Sequence, residues 1–188
     1  MPRHCSSCGA WIGAHAPVRC AACRAPHWLN AKPAAGALVV ADGRLLLTQR
    51  AIGPWLGCWC APSGFCDGDE HPAVCAEREA LEEAGIRVRI VGYLGHWIDE
   101  YTPGSQDGVD PEYCAVSYYH AVPVGDRGVV VDPAEVSAFG WFDPDALPEP
   151  LSPPRNGAWI YGAWREALTA GRLDTPLVDL ERSRSSVE

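Results

Sequence analysis

The chain has 188 residues, of which 47% are hydrophobic and 21% are charged, and its formal net charge is −9. This composition provides a hydrophobic core, and the length suits one catalytic domain with a small appendage. The acidic charge argues against a protein that coats the phosphates of nucleic acid. No apolar run approaches the ~20 residues of a membrane span, and the start of the chain lacks the apolar core of a signal peptide. We therefore expect a cytoplasmic protein without membrane or nucleic-acid partners.

The chain opens with two Cys-x2-Cys pairs, which are Cys5 with Cys8 and Cys20 with Cys23. Four thiolates in two such pairs suit a closed tetrahedral site for structural Zn²⁺. Two disulfides are the alternative, but a cytosolic protein would not keep them. A segment of about 30 residues has too little core to fold unaided, so the metal would supply most of its folding free energy. We predict a zinc ribbon over residues 1–33 with a structural or dimer-forming role. The nearby histidines that could replace a ligand are His4, His15 and His27.

The pattern changes to strands at residue 34. Residues 36–41 form an apolar run, Asp42-Gly43 is a strong turn signal, and residues 44–50 contain three consecutive leucines. This pattern predicts a buried hairpin. Residues 51–63, rich in proline, glycine and tryptophan, predict an irregular loop.

Residues 64–86 carry the clearest chemical signal. Pro72 suits the first turn of a helix, and Gly85 suits the position just past its end. On this helix Glu79, Glu82 and Glu83 stand at i, i+3 and i+4, so their carboxylates share one face. One interpretation is an ordinary solvated face. The other is a site for a hard divalent cation, which prefers oxygen ligands.

Seven residues and two apolar positions match the pattern Gly-x5-Glu-x7-Arg-Glu-U-x-Glu-Glu-x-Gly-U, where U is apolar. They are Gly64, Glu70, Arg78, Glu79, Glu82, Glu83 and Gly85, with Ala80 and Ile86. This pattern is the Nudix box, and the chain resembles the Nudix hydrolase family. With four cysteines in front, it is similar to the subgroup with an N-terminal zinc ribbon, which includes ADP-ribose and NADH pyrophosphatases. One departure is Pro62-Ser63-Gly64 where the family has Pro-Gly-Gly, and it puts the local turn in question because serine is less free to take positive φ.

The resemblance implies an α/β fold, the Nudix α/β/α sandwich on a mixed sheet, over residues 34–172. Residues 173–188 would follow this domain as a flexible C-terminal tail. It also implies catalytic Mg²⁺ or Mn²⁺ held by Glu79, Glu82, Glu83 and the carbonyl of Gly64, with Glu70 and Arg78 in support. After the box, residues 87–98, 113–124 and 135–142 predict strands, residues 129–131 a short strand, and residues 158–170 a closing helix. The polar segment 99–112 is long enough to be a loop over the site.

The implied activity is hydrolysis of a nucleoside diphosphate linked to another group. ADP-ribose or a nucleotide sugar is the favoured substrate, since Pro103 lies seventeen residues past the box, near where many ADP-ribose hydrolases have a proline. The alternatives are NADH, a dinucleoside polyphosphate, a prenyl diphosphate, or a non-catalytic protein that senses a nucleotide. Association into a homodimer is also left open.

Several further residues are candidates for contact with substrate. Trp55, Trp97 and Tyr101 lie in or near loops and would stack on a base, and Arg50 would bind phosphate. The general base is open between a box glutamate and an acidic residue of a later loop. The loop candidates are Asp107, Asp110, Glu112, Asp132 and Glu135.

Overall fold

The protein was analysed as a computed structural model that describes residues 4–13, 18–28, 30–101, 112–125 and 133–174. Its elements, in chain order, are β1 (Val18–Arg19), β2 (Pro26–His27), β3 (Lys32–Ala41), β4 (Arg44–Arg50), β5 (Trp59–Cys60), β6 (Ser63–Phe65), α1 (Pro72–Ala84), β7 (Val88–Glu100), β8 (Tyr113–Pro123), β9 (Val136–Phe142) and α2 (Gly157–Thr169). A two-stranded ribbon of β1 and β2 precedes a seven-stranded mixed sheet. The predicted α/β class with a mixed sheet is confirmed.

The predicted hairpin is present, and its two strands lead into different parts of the sheet. Asp42 and Gly43 have φ angles of 50° and 76°, both positive as a type I′ turn requires. β3 and β4 pair with each other only beside this turn. Beyond it, β3 pairs with β6 and runs parallel to β8, whereas β4 pairs with β5 and β9. β7 then pairs with β8 and forms the far edge.

The ends of α1 are set by its sequence, as predicted. Nδ1 of His71 accepts a hydrogen bond from the N–H of Ala73 at 3.1 Å, Pro72 occupies the first helical position, and Gly85 ends the helix with a φ of 62°. The face that packs on the sheet consists of small buried residues, which are Ala73, Cys75, Ala76, Ala80 and Ala84. These small side chains let α1 approach the sheet closely, and the adjoining face of the helix lies against β6.

α2 covers the opposite face of the sheet. Its buried side chains Ile160, Tyr161 and Trp164 belong to a second core cluster with alternate residues of β3 and β8. The hydroxyl of Tyr161 accepts a hydrogen bond from the N–H of Ala61 at 2.9 Å, which fastens the helix to the segment between β5 and β6. Within the described ranges, no helix combines the length and apolarity needed to cross a bilayer.

Two predictions about single residues differ from the structure. Leu81 lies seven residues after Val74, a spacing that predicts a core position for both, but Leu81 is 41% exposed because small residues form the buried face of α1. Ser63 takes no positive φ, because residues 63–65 form strand β6 rather than a turn. Some predicted features lie outside the described residues, namely His15, most of the loop 99–112 with Pro103, the strand 129–131 and the tail from residue 175 onward.

Candidate active site

A cavity of about 280 Å³ lies where α1, β6 and the ends of several strands meet. The three glutamates of α1 and Gly64 form one side of it. Residues from distant parts of the chain form the rest, among them Arg50, Asp99, Tyr101, Glu135 and Ser152. The fold therefore brings the Nudix box into one concave site with residues before and after it.

The three glutamates differ in their exposure. The side chain of Glu79 is 11% exposed and that of Glu82 is 58% exposed, while Glu83 is buried at the cavity wall. One oxygen of Glu83 accepts a hydrogen bond from the backbone N–H of Ser63 at 3.2 Å. The spacing of i, i+3 and i+4 thus gives a row of carboxylates that runs from solvent into the cavity.

Arg78 organises this acidic cluster. Its Nε and Nη2 donate to the two oxygens of Glu70 at 2.9 and 2.8 Å, and its Nη1 donates to Glu79 at 2.6 Å and Glu82 at 2.8 Å. Nη2 also donates to the carbonyl of Phe65 at 3.0 Å. A planar guanidinium can hold several carboxylates at fixed angles, which an ammonium group cannot. Arg78 therefore fixes two glutamates of α1 and ties Glu70 and β6 to the helix.

Burial and mutual repulsion shift the pKa values of the cluster. Burial, followed by the nearby charge of Glu79, raises the pKa of Glu83 to about 8. Burial also raises the pKa of Glu79, although Arg78 opposes the effect. The hydrogen bonds from Arg78 hold the pKa of Glu70 below its usual value. Positive charge placed beside Glu79 and Glu83 would favour the ionised form of both carboxylates.

The backbone of Gly64 lies close to the carboxylate of Glu79. A Cβ atom at this position would collide with the carboxylate of Glu79. The carbonyl of Gly64 accepts a long hydrogen bond from the thiol of Cys75, at 3.7 Å. The absence of a side chain thus lets the backbone of β6 lie directly against a glutamate of α1.

The donor set fits a hard divalent cation. Glu79, Glu82 and Glu83 offer carboxylate oxygens on one wall, Gly64 offers a carbonyl beside them, and hard cations take oxygen ligands. Burial raises the pKa values of Glu79 and Glu83, and a bound cation would offset this effect. The residue types are those that a hard divalent cation takes, and Mg²⁺ or Mn²⁺ at these glutamates stays a prediction.

Aromatic residues also line the cavity, among them Trp55, Phe65 and Tyr101. The rings of Trp55 and Tyr101 meet edge to face with centroids 5.7 Å apart, and the ring of Phe65 contacts Tyr101 at 5.2 Å. Arg50 also lines the cavity, and its Nε donates to the carbonyl of Pro54 at 2.9 Å. Phe65 lies next to the box glycine, but no sequence signal distinguishes it from the other aromatic residues.

Trp97 is the predicted substrate contact that does not line this cavity. Its ring packs edge to face on Tyr118 at 5.8 Å, because its position on β7 points it toward the core under α2. Of the candidate general bases, Glu135 lines the cavity. Glu112 forms an ion pair with Lys32 at 3.0 Å instead. Asp107, Asp110 and Asp132 lie outside the described residues.

The four N-terminal cysteines form a second cluster. Their Sγ atoms all lie within 4.8 Å of one another, and the pairs Cys5–Cys23 and Cys8–Cys20 are 3.5 and 3.7 Å apart. These distances are far longer than a disulfide bond of about 2.05 Å. Nε2 of His27 lies 3.2 Å from Sγ of Cys5, so His27 lies beside the four cysteines. Four convergent thiols are the donor set of a structural zinc site.

Comparison with known proteins agrees with this geometry. The family model of the NUDIX domain matches residues 30–161. A MutT-like protein of Streptomyces ambofaciens is 32% identical over 124 residues, which are 66% of this chain and 71% of that protein. An NAD-capped RNA hydrolase NudC of Chromobacterium violaceum is 28% identical over 149 residues, which are 78% of this chain. The chain spans 52% of that relative's length.

Solved structures share the fold. A NUDIX hydrolase from Nitrosomonas europaea superposes with a TM-score of 0.66 at 22% identity and covers 89% of this chain and 90% of its own. An ADP-ribose pyrophosphatase from Streptococcus suis superposes with a TM-score of 0.57 at 25% identity, covering 73% of this chain and 92% of its own. The described architecture is therefore one that known hydrolases have.

Proposed function

Because the chain belongs to the NUDIX family, we propose that it is a hydrolase that cleaves the diphosphate bond of a nucleoside diphosphate derivative, with ADP-ribose or a nucleotide sugar as the favoured substrate. The observation that carries this proposal is the acidic cluster. Three glutamates, a supporting arginine and a backbone carbonyl converge on one cavity, next to aromatic side chains that suit a base.

Glu79, Glu82, Glu83 and the carbonyl of Gly64 would hold the divalent cation. Bound Mg²⁺ or Mn²⁺ supplies charge neutralisation of the diphosphate and lowers the pKa of the attacking water. The specific ion is part of the proposal. Arg78 keeps Glu79 and Glu82 in place. We expect it to remain bound to carboxylates, since four of its hydrogen bonds go to Glu70, Glu79 and Glu82.

The chain's other residues would bind and orient the substrate. Arg50 carries a positive charge at the cavity wall, where it would contact a phosphate oxygen. Trp55 and Tyr101 offer ring surfaces for a base or sugar. In the reaction, a water adds to one phosphorus, the bridging P–O bond breaks, and two phosphate monoesters leave. Glu135 lines the same cavity and is the candidate that would accept the proton of that water.

Two findings support the substrate class. The ADP-ribose pyrophosphatase from Streptococcus suis shares the fold at 25% identity. The cavity also pairs an acidic wall, which suits a metal and a diphosphate, with an aromatic wall, which suits a nucleoside. A structural zinc ion at Cys5, Cys8, Cys20 and Cys23 completes the proposal.

The test is a screen of nucleoside diphosphate derivatives with Mg²⁺ and with Mn²⁺, in which each product is identified by mass. The proposal expects two monoester products from ADP-ribose or a nucleotide sugar, and it expects Glu83→Gln to lose at least about 100-fold in kcat. Glu77→Gln is the matched control, since Glu77 lies on the same helix and accepts from the N–H of Ile90 at 3.1 Å, which glutamine can also do. A Glu83→Gln enzyme as active as Glu77→Gln would refute the assignment.

A further inference from the structure

Asp99 is a buried carboxylate that the proposed chemistry does not use. It lies near the end of β7, and it is 1% exposed. Its Oδ1 accepts a hydrogen bond from Nδ2 of Asn156 at 2.6 Å. Its Oδ2 is buried and has no hydrogen-bond partner among the described residues. One half of this carboxylate is therefore held in place, and the other half is buried without a hydrogen-bond partner among the described residues.

An unpaired buried carboxylate oxygen is costly, so its presence needs a reason. Burial raises the pKa of Asp99, and the hydrogen bond from Asn156 and the charge of Arg155 offset only part of that effect. A core that needed only packing would hold an apolar residue at this position. A binding site for a ligand that donates a hydrogen bond, by contrast, requires such an acceptor.

The location of Asp99 indicates which ligand it faces. It lines the same cavity as the glutamates. Asp99 pairs with Cys114 of β8, which pairs with Lys32 of β3, whereas Gly64 of β6 pairs with β3 three residues further along. Asp99 and Gly64 are therefore separated by about 14 Å across the sheet, for three strand spacings, and by three residues along it. A ligand that reaches both ends is longer than a diphosphate.

Aromatic side chains lie beside Asp99 in the cavity. Tyr101 follows two residues later on the same side of the chain, and its ring contacts those of Trp55 and Phe65. A flat base that stacks on one of these rings presents its polar edge sideways, toward the cavity wall. A carboxylate oxygen in that wall selects a base with N–H donors, because an ionised carboxylate only accepts.

Oδ2 has almost no accessible surface in this conformation. The terminal torsion of an aspartate is broad, so the carboxyl group can turn about its Cβ–Cγ bond toward a donor in the cavity. The hydrogen bond from Asn156 limits this rotation and keeps the group near the cavity wall.

We propose that Asp99 is a specificity-determining residue that accepts a hydrogen bond from the amino group of a nucleobase bound in the cavity. The proposal rests on the proposed function, since it assigns the end of the same cavity to the base of the substrate. It names the substrate class more narrowly, as a nucleotide whose base carries an amino group.

The test uses nucleotide pairs that differ by one amino group, bound to the full-length protein with Mg²⁺ and measured by calorimetry. The pairs are ADP with purine riboside 5′-diphosphate, and GDP with IDP. At least one amino-bearing member should bind about 10- to 100-fold more tightly than its partner, as a hydrogen bond to a charged group allows. Asp99→Asn should reduce the ratio of the two affinities to about one. The substitution replaces Oδ2 by an NH₂ group, which donates, while Oδ1 can still accept from Asn156.

Thermal unfolding separates a binding role from a structural one. Asp99→Asn removes a buried unpaired charge, so its melting temperature should equal or exceed that of the wild type. Glu100→Gln is the matched control, because it makes the same change of charge one residue away on the opposite face of β7. It should keep both the ratio and the melting temperature.

The outcomes are distinct. Equal affinity within both pairs in the wild type, or an unchanged ratio in Asp99→Asn, would overturn the proposal, as would a melting temperature that falls by 10 °C or so. Because calorimetry here reports the relative affinity of two nucleotides and not product formation, an amino preference with no hydrolysis of any substrate in the product screen would uphold Asp99 and refute the proposed hydrolase instead.

Discussion

Replacing Glu83 by glutamine should change the pH dependence of stability. The pKa of Glu83 is about 8 in the folded chain, against 4.5 for an unperturbed glutamate, because the side chain is buried next to Glu79. Between these two pH values the folded state binds more protons than the unfolded state, so the stability of the metal-free protein falls as the pH rises. Glutamine does not ionise and avoids this loss.

The magnitude follows from the size of the shift. At about 1.4 kcal/mol per pKa unit, the difference is on the order of 4 to 5 kcal/mol when Glu83 is fully ionised. At pH 8 the group is about half ionised, which lowers this figure by only about 0.4 kcal/mol; because Glu79 relaxes when its neighbour loses charge, we expect about 3 to 4 kcal/mol for Glu83→Gln. This corresponds to a rise in melting temperature of roughly 6 to 16 °C at pH 8, and of only about 2 to 3 °C at pH 5.

The assay is thermal unfolding of both proteins from pH 5 to pH 8 in Mg²⁺-free buffer. The buffer contains no chelator, so zinc at the cysteines stays bound. Added Mg²⁺ should then stabilise the wild type at pH 8 more than Glu83→Gln, because the ion binds the folded carboxylates. Glu77→Gln, on the same helix, should follow the wild type throughout. Parallel curves for wild type and Glu83→Gln at every pH would refute the reasoning.

Three further changes test other parts of the site. Gly64→Ala should lower the Mn²⁺ affinity measured by calorimetry and the kcat measured at steady state, each by at least about 10-fold, because the new Cβ displaces the carboxylate of Glu79. Unchanged values would show that the contact between Gly64 and Glu79 is unimportant. Arg78→Lys should lower the free energy of unfolding in urea by about 1 to 3 kcal/mol and kcat by at least about 10-fold, since lysine cannot bridge Glu70 and the helix. A wild-type kcat in this variant would contradict the positioning role of Arg78. Elemental analysis should find one zinc ion per chain in the wild type and none in Cys20→Ser, and an equal zinc content in both would rule out the cysteine cluster as its site.

Much of α1 could be predicted from the sequence because its signals are local. Pro72 and Gly85 determine the helix ends through backbone geometry that depends on single residues. The spacing of the glutamates fixes their common face. The exposure of Leu81 could not be predicted in the same way, because a helix with an alanine stripe buries that stripe and leaves larger side chains outside.

The rest of the cavity could not be predicted because it is built by pairing between distant segments. Asp99 reaches the cavity through the register of β7 on β8, which includes two irregularities between residues 90 and 95. Those irregularities change which side chains face α2, so counting along the strand does not show that Asp99 is buried while Ile98 is exposed. Trp97 and Tyr101 looked equivalent in the sequence, yet only Tyr101 lines the cavity. Glu135 likewise enters the site from the start of β9, far from the box.

The central claim is that the carboxylates of α1 collect divalent ions inside the cavity. Anomalous scattering from a crystal soaked in MnCl₂ tests it most directly. The account predicts a manganese peak within about 2.5 Å of oxygens from at least two of Glu79, Glu82 and Glu83. A crystal with manganese bound elsewhere, and with no peak beside these three side chains, would contradict it.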